Sequence, residues 1–233
     1  MNESAYTVVL TGNSVSAESG FPDFRLVTTG RTVKTNPIRV ATADSMENNR
    51  PEFVNLYRER IECLLRCAPN VIHKLLAKWE KNGLIQSIIT ENTDGFHRKA
   101  GNQHVIELYG TLSTCYCNAC GEIYPNNRFL SPDLSCQCGG FIRPAVTLFG
   151  EEMSVDALFK ADQETDRAEL LMIVGSDLSA APANYFPKIA KEKGTRIVII
   201  NLEPSGLDKL ADIAVYPNKI GDVFVQLDDL INA

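Results

Sequence analysis

The chain has 233 residues, of which 44% are hydrophobic and 22% charged, and 23 Lys and Arg against 29 Asp and Glu give a net charge of −6 at pH 7. This composition is typical of a globular protein and excludes a collagen, a coiled coil and wholesale disorder. The negative charge and the lack of a dense Lys/Arg cluster argue against a nucleic-acid surface, so we expect a small or cationic partner.

The N-terminal residues and the apolar runs bear on the location of the protein. Residues 1–6 lack the basic region of a secretion signal. The longest apolar runs, residues 170–174 and 197–200, fall far short of the roughly 20 residues that cross a bilayer. We therefore expect a cytoplasmic protein with no membrane partner.

Short apolar runs rich in β-branched residues alternate with segments of helical periodicity or turn residues. These runs cover residues 6–10, 85–89, 170–174, 196–200 and 213–215. Buried parallel strands have this character, so the pattern predicts an α/β fold built on a doubly wound parallel sheet.

Two stretches interrupt this alternation. Residues 51–67 place apolar side chains near helical spacing, and we interpret residues 28–67 as a small helical insertion. Residues 114–141 hold most of the cysteines and no long apolar run, so this module needs a source of stability other than a core. The remaining segments, residues 1–27, 68–113 and 142–233, are assigned to the sheet domain.

The cysteines of the second insertion form two close pairs, each followed by glycine. Cys117 and Cys120 are separated by two residues, and Cys136 and Cys138 by one. Four thiolates in this arrangement predict a structural zinc site, the alternative being reduced cysteines packed as small apolar residues. Cys115 is a spare that could replace one ligand.

A turn rich in glycine and small polar residues follows the first predicted strand. Gly12, Asn13, Ser14 and Ser16 lie where this strand would feed a helix, which lets backbone N–H groups approach a pyrophosphate. The turn does not match the dinucleotide-binding pattern G-x-G-x-x-G, so an ordinary strand-to-helix turn is the alternative. Residues 21–25, Phe-Pro-Asp-Phe-Arg, follow directly, and we interpret them as a lid over a ligand.

Polar residues also follow the second predicted strand, at positions 90–95. Glu91, Asn92 and Asp94 would point into the crevice at the carboxyl edge of a parallel sheet, where such folds bind ligands. Capping of the next helix by Asn92 or Asp94 is the alternative.

In order and spacing, these segments resemble those of the sirtuins, the NAD-dependent protein-lysine deacylases. The resemblance also rests on residues 105–110 (Val-Ile-Glu-Leu-Tyr-Gly), Arg143-Pro144, residues 149–151 and Asn201, and it spans nearly the whole chain. It implies a Rossmann-like domain, a smaller domain that combines the zinc module with helices, and a cleft between them for NAD and an acyl-lysine protein or peptide.

The resemblance also implies roles for individual positions. The implied NAD site consists of Gly12, Asn13, Ser14, Ser16, Asp23, Phe24, Arg25, Glu91, Asn92, Asp94, Gly175, Ser176, Asn201 and Leu202. The implied acyl-lysine site is Thr147, Leu148, Phe149 and Gly150, and the implied catalytic positions are Glu91, Asn92, Asp94 and Tyr109.

Four segments depart from the sirtuin pattern. The family's Gly-Ala-Gly turn is Gly-Asn-Ser at residues 12–14, and its Gly-Thr-Ser is Gly-Ser-Asp at residues 175–177. Its Thr-Gln-Asn-x-Asp carries Glu91 in place of the amide, and its Glu-Leu-His-Gly carries Tyr109 in place of the histidine.

The tyrosine changes the chemistry most directly. In a sirtuin the histidine helps to deprotonate a ribose hydroxyl after nicotinamide has left. Histidine titrates near 6.5 and tyrosine near 10, so Tyr109 has about a thousandfold less of its basic form at pH 7. We expect deacylation to be impaired, and neither His97 nor His104 is placed to substitute.

Two other functions stay open. A carboxylate beside an oxocarbenium-like ribose is the device of glycoside cleavage, so Glu91 with Asn92 could support an NAD glycohydrolase or an ADP-ribosyltransferase. Glu91 could instead form only a salt bridge, for example with Arg25. The protein would also be a non-catalytic NAD- or ADP-ribose-binding module if the chemistry is lost altogether.

Overall fold

The computed structural model describes residues 4–24 and 36–232. Its elements in chain order are β1 (Thr7–Thr11), α1 (Asn13–Ala17), α2 (Pro37–Val40), α3 (Ala43–Asn48), α4 (Arg50–Arg66), α5 (Val71–Lys81), β2 (Ser87–Thr90), α6 (Phe96–Ala100), β3 (Val105–Glu107), β4 (Gly110–Cys117), β5 (Ile123–Pro125), β6 (Ile142–Val146), α7 (Val155–Arg167), β7 (Leu170–Val174), α8 (Phe186–Glu192), β8 (Arg196–Ile200), β9 (Ile213–Val215) and α9 (Ile220–Ile231). Short 3-10 helices occupy Asn126–Leu130 and Asp208–Leu210. Within the described ranges, no helix is long and apolar enough to span a membrane.

The large sheet has six parallel strands in the order β3-β2-β1-β7-β8-β9. In the centre, Thr11 at the end of β1 is in register with Thr90 of β2 and Val174 of β7. This confirms the predicted α/β fold.

Both faces of this sheet are covered by helices, which explains the continuous apolar runs. Alternate residues of β1 point to opposite cores: Val8 and Leu10 pack with residues of α7 and α8, whereas Val9 packs with residues of α5 and α9. A strand that is buried on both faces has no polar positions to alternate with apolar ones.

The strand order reverses beside β1, because the chain adds β2 and β3 on one side and β7, β8 and β9 on the other. Open α/β sheets form a crevice outside the carboxyl ends of the strands at such a switch point. The fold therefore places the turns after β1, β2 and β7 around one crevice.

A smaller unit lies over this crevice and has its own core. It contains α2, α3, α4 and an antiparallel sheet in the order β5-β4-β6. Its core is formed by side chains from α4, the small sheet and the 3-10 helix Asn126–Leu130, including Phe53, Leu56, Ile61, Phe129 and Ile142.

The small sheet extends past both expected boundaries of the cysteine module, residues 114–141. β4 begins at Gly110 and β6 ends at Val146, and the two strands pair from Gly110↔Val146 to Cys117↔Ile142. The reason is packing, because Leu112 and Val146 belong to the same core as α4.

Candidate active site and metal centre

A cavity of about 910 Å³ lies at the switch point, between the sheet and the small unit. Its walls bring together nearly all the predicted site residues, namely Asn13, Ser14, Ser16, Asp23, Phe24, Glu91, Asn92, Asp94, Tyr109, Thr147, Leu148, Phe149, Gly150, Gly175, Ser176, Asn201 and Leu202. Gly12 lies just behind this wall, and Arg25 falls outside the described residues.

The floor of the cavity depends on a close approach between two turns. A Cβ atom on Gly12 would lie 2.6 Å from Ser176 Cα and 2.7 Å from the Gly175 carbonyl oxygen, which no side chain tolerates. Gly175 itself has φ of +63°, in the left-handed region that favours glycine. Asn13 and Ser14 begin α1 with helical backbone, so neither position requires glycine, and the cavity stays open with both side chains in its wall.

Asn92 presents an unpaired acceptor to this site. It is 3% exposed, and its Nδ2 donates to the Gly12 carbonyl at 3.0 Å. Its Oδ1 is buried and has no hydrogen-bond partner among the described residues. A buried unpaired acceptor costs about 1–3 kcal/mol, so Asn92 fits a ligand that donates a hydrogen bond, such as a ribose hydroxyl or a carboxamide.

Asp94 is buried, and its carboxylate forms hydrogen bonds within the protein. It accepts hydrogen bonds from the Ser16 hydroxyl and, at 2.7 Å, from the Phe96 N–H at the start of α6. Burial raises the pKa of Asp94, and the hydrogen bonds from Ser16 and Phe96 oppose the shift. The N-cap of α6 is Gly95, and Asp94 satisfies the first N–H of the helix from the preceding position while its side chain also lines the cavity.

Glu91 and Tyr109 occupy neighbouring parts of the cavity wall. The Glu91 carboxylate accepts a hydrogen bond from the Ser176 hydroxyl, and the Tyr109 hydroxyl donates to the Ala181 carbonyl at 3.1 Å. Burial and then the negative charge of Glu91 raise the pKa of Tyr109 to about 12. The phenol is therefore protonated at neutral pH and is a hydrogen-bond donor rather than a base.

The three histidines, all within the described ranges, do not line the cavity. His97 is buried behind β1, with Nε2 2.9 Å from Thr11 Oγ1, and burial holds its pKa well below the usual value. His104 Nδ1 is 2.8 Å from Glu80 Oε1 at the surface. Neither can replace a base at position 109, as the sequence indicated.

Sequence reasoning missed two cavity residues on α4, Tyr57 and Arg60. Arg60 is only 6% exposed, donates from Nη1 to the Pro22 carbonyl at 2.8 Å, and places its guanidinium 4.2 Å from the Phe21 ring centroid and 5.4 Å from that of Phe24. Burial is the main cause of its lowered pKa. The sequence signal that could have identified Arg60 was a cationic side chain on the apolar face of the predicted helix at residues 51–67.

Residues 147–150 form one rim of the cavity. Thr147 N–H donates to the Tyr109 carbonyl at 2.9 Å, and Phe149 N–H donates to the Ala41 carbonyl at 3.0 Å. The Phe149 side chain is 51% exposed, with its ring 6.2 Å from that of Phe24. Phe149 is thus a residue of the cavity mouth and not of the hydrophobic core.

The four predicted zinc ligands converge in space. The sulfurs of Cys117, Cys120, Cys136 and Cys138 all lie within 4.8 Å of one another, with Cys117–Cys138 at 3.5 Å and Cys120–Cys136 at 3.7 Å. A tetrahedral site with Zn–S bonds of about 2.3 Å separates its sulfurs by about 3.8 Å, so the cluster fits zinc and leaves no open position for catalysis.

Two further side chains, Tyr124 and Cys115, lie near the metal centre. The Tyr124 hydroxyl lies 3.1 Å from Cys136 Sγ and lowers the pKa of that thiol to about 6, which favours the thiolate. Cys115 lies outside the cluster: it is buried, and its thiol points to the Asn126 carbonyl at 3.9 Å. The idea that Cys115 replaces a ligand is therefore wrong, because its side chain faces the small core.

Comparison with known proteins supports the resemblance. Residues 12–182 match the Sir2 family. The chain is 46% identical over 226 residues to "NAD-dependent protein deacetylase 1" of Geobacillus kaustophilus, covering 97% of this chain and 93% of that protein. It is 43% identical over 233 residues to an "NAD-dependent protein deacetylase" of Halalkalibacterium halodurans, covering 100% and 98%.

Solved structures agree with this fold. A structure described as "Sir2-p53 peptide-NAD+" superposes with a TM-score of 0.87 at 34% identity and covers 99% of this chain and 95% of its own. A Sir2 homologue in complex with NAD gives a TM-score of 0.92 at 33% identity, covering 99% and 90%. Sequence and fold agree over almost the entire length, and the chain belongs to the Sir2 family.

Proposed function

We propose that this protein is an NAD-dependent protein-lysine deacylase whose deacylation step is slowed by Tyr109. The names of its relatives and the complexes of its structural neighbours support the reaction class. The slowing of deacylation is inferred from the Tyr109 phenol, which lies in the cavity wall with its pKa raised to about 12.

The cavity suits NAD by size and by chemistry. Its volume of about 910 Å³ lies near the upper end of the range for small-molecule sites, as a dinucleotide needs. Gly12, Asn13, Ser14, Ser16, Asp23, Phe24, Arg25, Glu91, Asn92, Asp94, Gly175, Ser176, Asn201 and Leu202 are the residues that would hold it. NAD, when bound, supplies a ribose carbon from which nicotinamide can leave.

We assign the acyl-lysine substrate to the rim at residues 147–150. Phe149 and the neighbouring Phe24 offer apolar surface to the lysine stem, and the adjacent backbone can pair with an extended peptide. The protein substrate is therefore expected to present a lysine from an extended segment.

Tyr109 limits the step that needs a base. With a pKa of about 12, only about one phenol in 10⁵ is ionised at pH 7, whereas most of a histidine with an ordinary pKa near 6.5 is neutral and able to accept a proton. Loss of nicotinamide does not need this base, because the charge that develops on the ribose in that step is positive. We expect the first step to outrun the transfer of the acyl group.

Glu91 supports a second candidate function, NAD glycohydrolysis or ADP-ribosyl transfer. Its carboxylate is in the cavity wall and is held by the Ser176 hydroxyl, so it can stabilise positive charge on a ribose. Asn92, with its unpaired Oδ1, would help to orient that ribose.

One incubation distinguishes these functions. The protein is mixed with NAD and an acetyl-lysine peptide, and nicotinamide, free ADP-ribose and deacetylated peptide are followed together. Slow release of deacetylated peptide in step with consumed NAD supports the deacylase. Nicotinamide with ADP-ribose and unchanged peptide supports glycohydrolysis, and no turnover of NAD indicates a binding module.

The cysteines support a cytoplasmic location. Four thiolates must stay reduced to hold zinc, and the cytosol keeps thiols reduced. We place the protein in that compartment.

A further inference from the structure

Two cysteines outside the zinc cluster meet at the end of α4. Cys63 lies in the last turn of this helix, and Cys67 is the residue that follows its end. Both thiols are free and partly exposed. Neither belongs to the four-sulfur cluster nor lines the cavity, so the proposed reaction makes no use of them.

The backbone brings the two residues within the range of a disulfide. Helical geometry separates the Cα atoms of residues i and i+4 by about 6.2 Å, and the Cα atom of Cys67 still follows this path because Arg66 is helical. Disulfides join Cα atoms about 4.4–6.8 Å apart. Residues four apart are neighbours on a helix surface with Cβ atoms about 5–6 Å apart, so the roughly 3.5–4.5 Å of a disulfide requires movement at Cys67, where the helix ends.

The pair sits under the segment that lines the NAD cavity. Cys67 Sγ lies 3.9 Å from the position that a Cβ atom on Gly20 would take, so the thiol lies beside the residue that precedes the segment 21–24. Cys63 follows Arg60 by one helical turn, and Arg60 holds Pro22 by a hydrogen bond of 2.8 Å. Both thiols are thus adjacent to the two anchors of this segment.

The surroundings allow thiol chemistry. Burial and the neighbouring Cys63 raise the pKa of Cys67, and the Arg66 guanidinium offsets only part of this rise. Both thiols are partly exposed, so an oxidant in solution can reach them.

We propose that Cys63 and Cys67 are a dithiol modification site, which a low-molecular-weight disulfide oxidises to an intramolecular disulfide that weakens NAD binding. One thiolate attacks a sulfur of the oxidant and releases one reduced thiol, which leaves a mixed disulfide on the protein. The second cysteine then attacks the protein sulfur of that mixed disulfide and releases the second reduced thiol. Two protein thiols are oxidised, and one external disulfide is reduced to two thiols.

The coupling to NAD follows from position, and this part rests on the proposed function. The expected Cα separation is near the upper limit for a disulfide, so closure draws Cys67 towards Cys63 and away from Gly20. The same movement shifts the turn of α4 that follows Arg60. We expect the segment 20–24 to lose contacts, and the dissociation constant for NAD to rise at least fivefold.

The test uses the zinc-loaded protein and oxidised glutathione as the probe. Peptide mapping by mass spectrometry identifies the linked cysteines, zinc content shows that the metal cluster is intact, and calorimetry measures NAD affinity before and after oxidation. Hydrogen exchange of residues 16–24 gives a readout that does not need NAD. Cys63→Ser and Cys67→Ser are tested in parallel, with Cys115→Ser as a control for an unrelated thiol.

Oxidation should give a Cys63–Cys67 disulfide with zinc retained, faster hydrogen exchange in residues 16–24 and weaker NAD binding, all reversed by dithiothreitol. Each serine variant should instead keep a glutathione adduct, and Cys115→Ser should behave like the wild type. Stable adducts on wild-type Cys63 or Cys67, or a link that leaves both exchange and NAD affinity unchanged, would overturn it. If the reduced protein binds no NAD, the proposed function fails, and the exchange rates alone decide on the dithiol.

Discussion

Replacing Tyr109 with histidine should restore deacylation far more than it changes NAD binding. At a pKa of about 12, about one Tyr109 phenol in 10⁵ is in its basic, ionised form at pH 7. A histidine with an ordinary pKa would raise the fraction of side chains in the basic form by nearly five orders of magnitude. General-base catalysis itself contributes about 10²–10⁴-fold, and this smaller figure sets the expected gain in kcat. NAD affinity should stay within about threefold, since Asn92 and the turn at Gly12 are unaffected.

The assay measures single-turnover release of deacetylated peptide at saturating NAD, with calorimetry for binding. Tyr109→Phe is the matched control: it removes the hydroxyl that donates to Ala181 and supplies no base, so deacylation should stay at the wild-type level or below. If the wild type and the Tyr109→His variant bind NAD equally well and deacylate equally slowly, Tyr109 is not the limiting group.

The pH dependence gives a second check on the same residue. The raised pKa of Tyr109 leaves the phenol protonated throughout the range from pH 6 to 9, so a rate that depends on phenolate should rise about tenfold per unit without a plateau. The Tyr109→His variant should level off above pH 7, because its imidazole is then largely neutral. A plateau near pH 7 in the wild type would mean that another group is the base.

Three further outcomes are expected. The purified protein should contain one equivalent of zinc, and less than about half an equivalent contradicts the zinc site. Removal of zinc by a chelator should unfold the small unit, measured as a loss of the tyrosine circular dichroism signal. Phe149→Ala should raise the KM for peptide about tenfold while the free energy of unfolding changes by less than about 0.5 kcal/mol, since the ring is half exposed; an unchanged KM means that the rim does not contact the substrate. Arg60→Met should raise the dissociation constant for NAD about tenfold, as expected for about 1.4 kcal/mol from the lost bond to Pro22. Arg58→Met, on the same helix but bonded to the Phe129 and Ser131 carbonyls, should leave NAD affinity unchanged, and equal effects of the two changes would point to general destabilisation.

The central strands β1, β2 and β7 were predictable because all their residues are buried, and the run at 170–174 matches β7 residue for residue. The zinc ligands were predictable because a metal imposes its geometry through local spacing. In contrast, β3 has only three residues, too few for a periodic pattern, and the pairing of β4 with β6 joins segments about 30 residues apart. Sequence distance carries no information about such a contact.

The cavity residues that follow strands of the large sheet were more predictable than those that come from the small unit. Glu91 and Asn92 directly follow a buried strand, and the rule for open parallel sheets places them at the crevice. Arg60 reaches the same cavity from a helix of the small unit, and only the tertiary packing of α4 brings it onto Phe21. The exclusion of Cys115 from the metal centre likewise depends on which way one side chain of β4 turns.

The rim at Phe149 is tied to the helices of the small unit through its backbone. Phe149 donates to Ala41 and accepts from Ala43, and it forms a parallel bridge with Thr42. A peptide bound along this rim, as proposed, would be coupled to the segment joining α2 to α3, so packing changes in that segment would alter peptide affinity without contacting the peptide. Selectivity among protein substrates could then change in the small unit while the residues at the sheet stay the same.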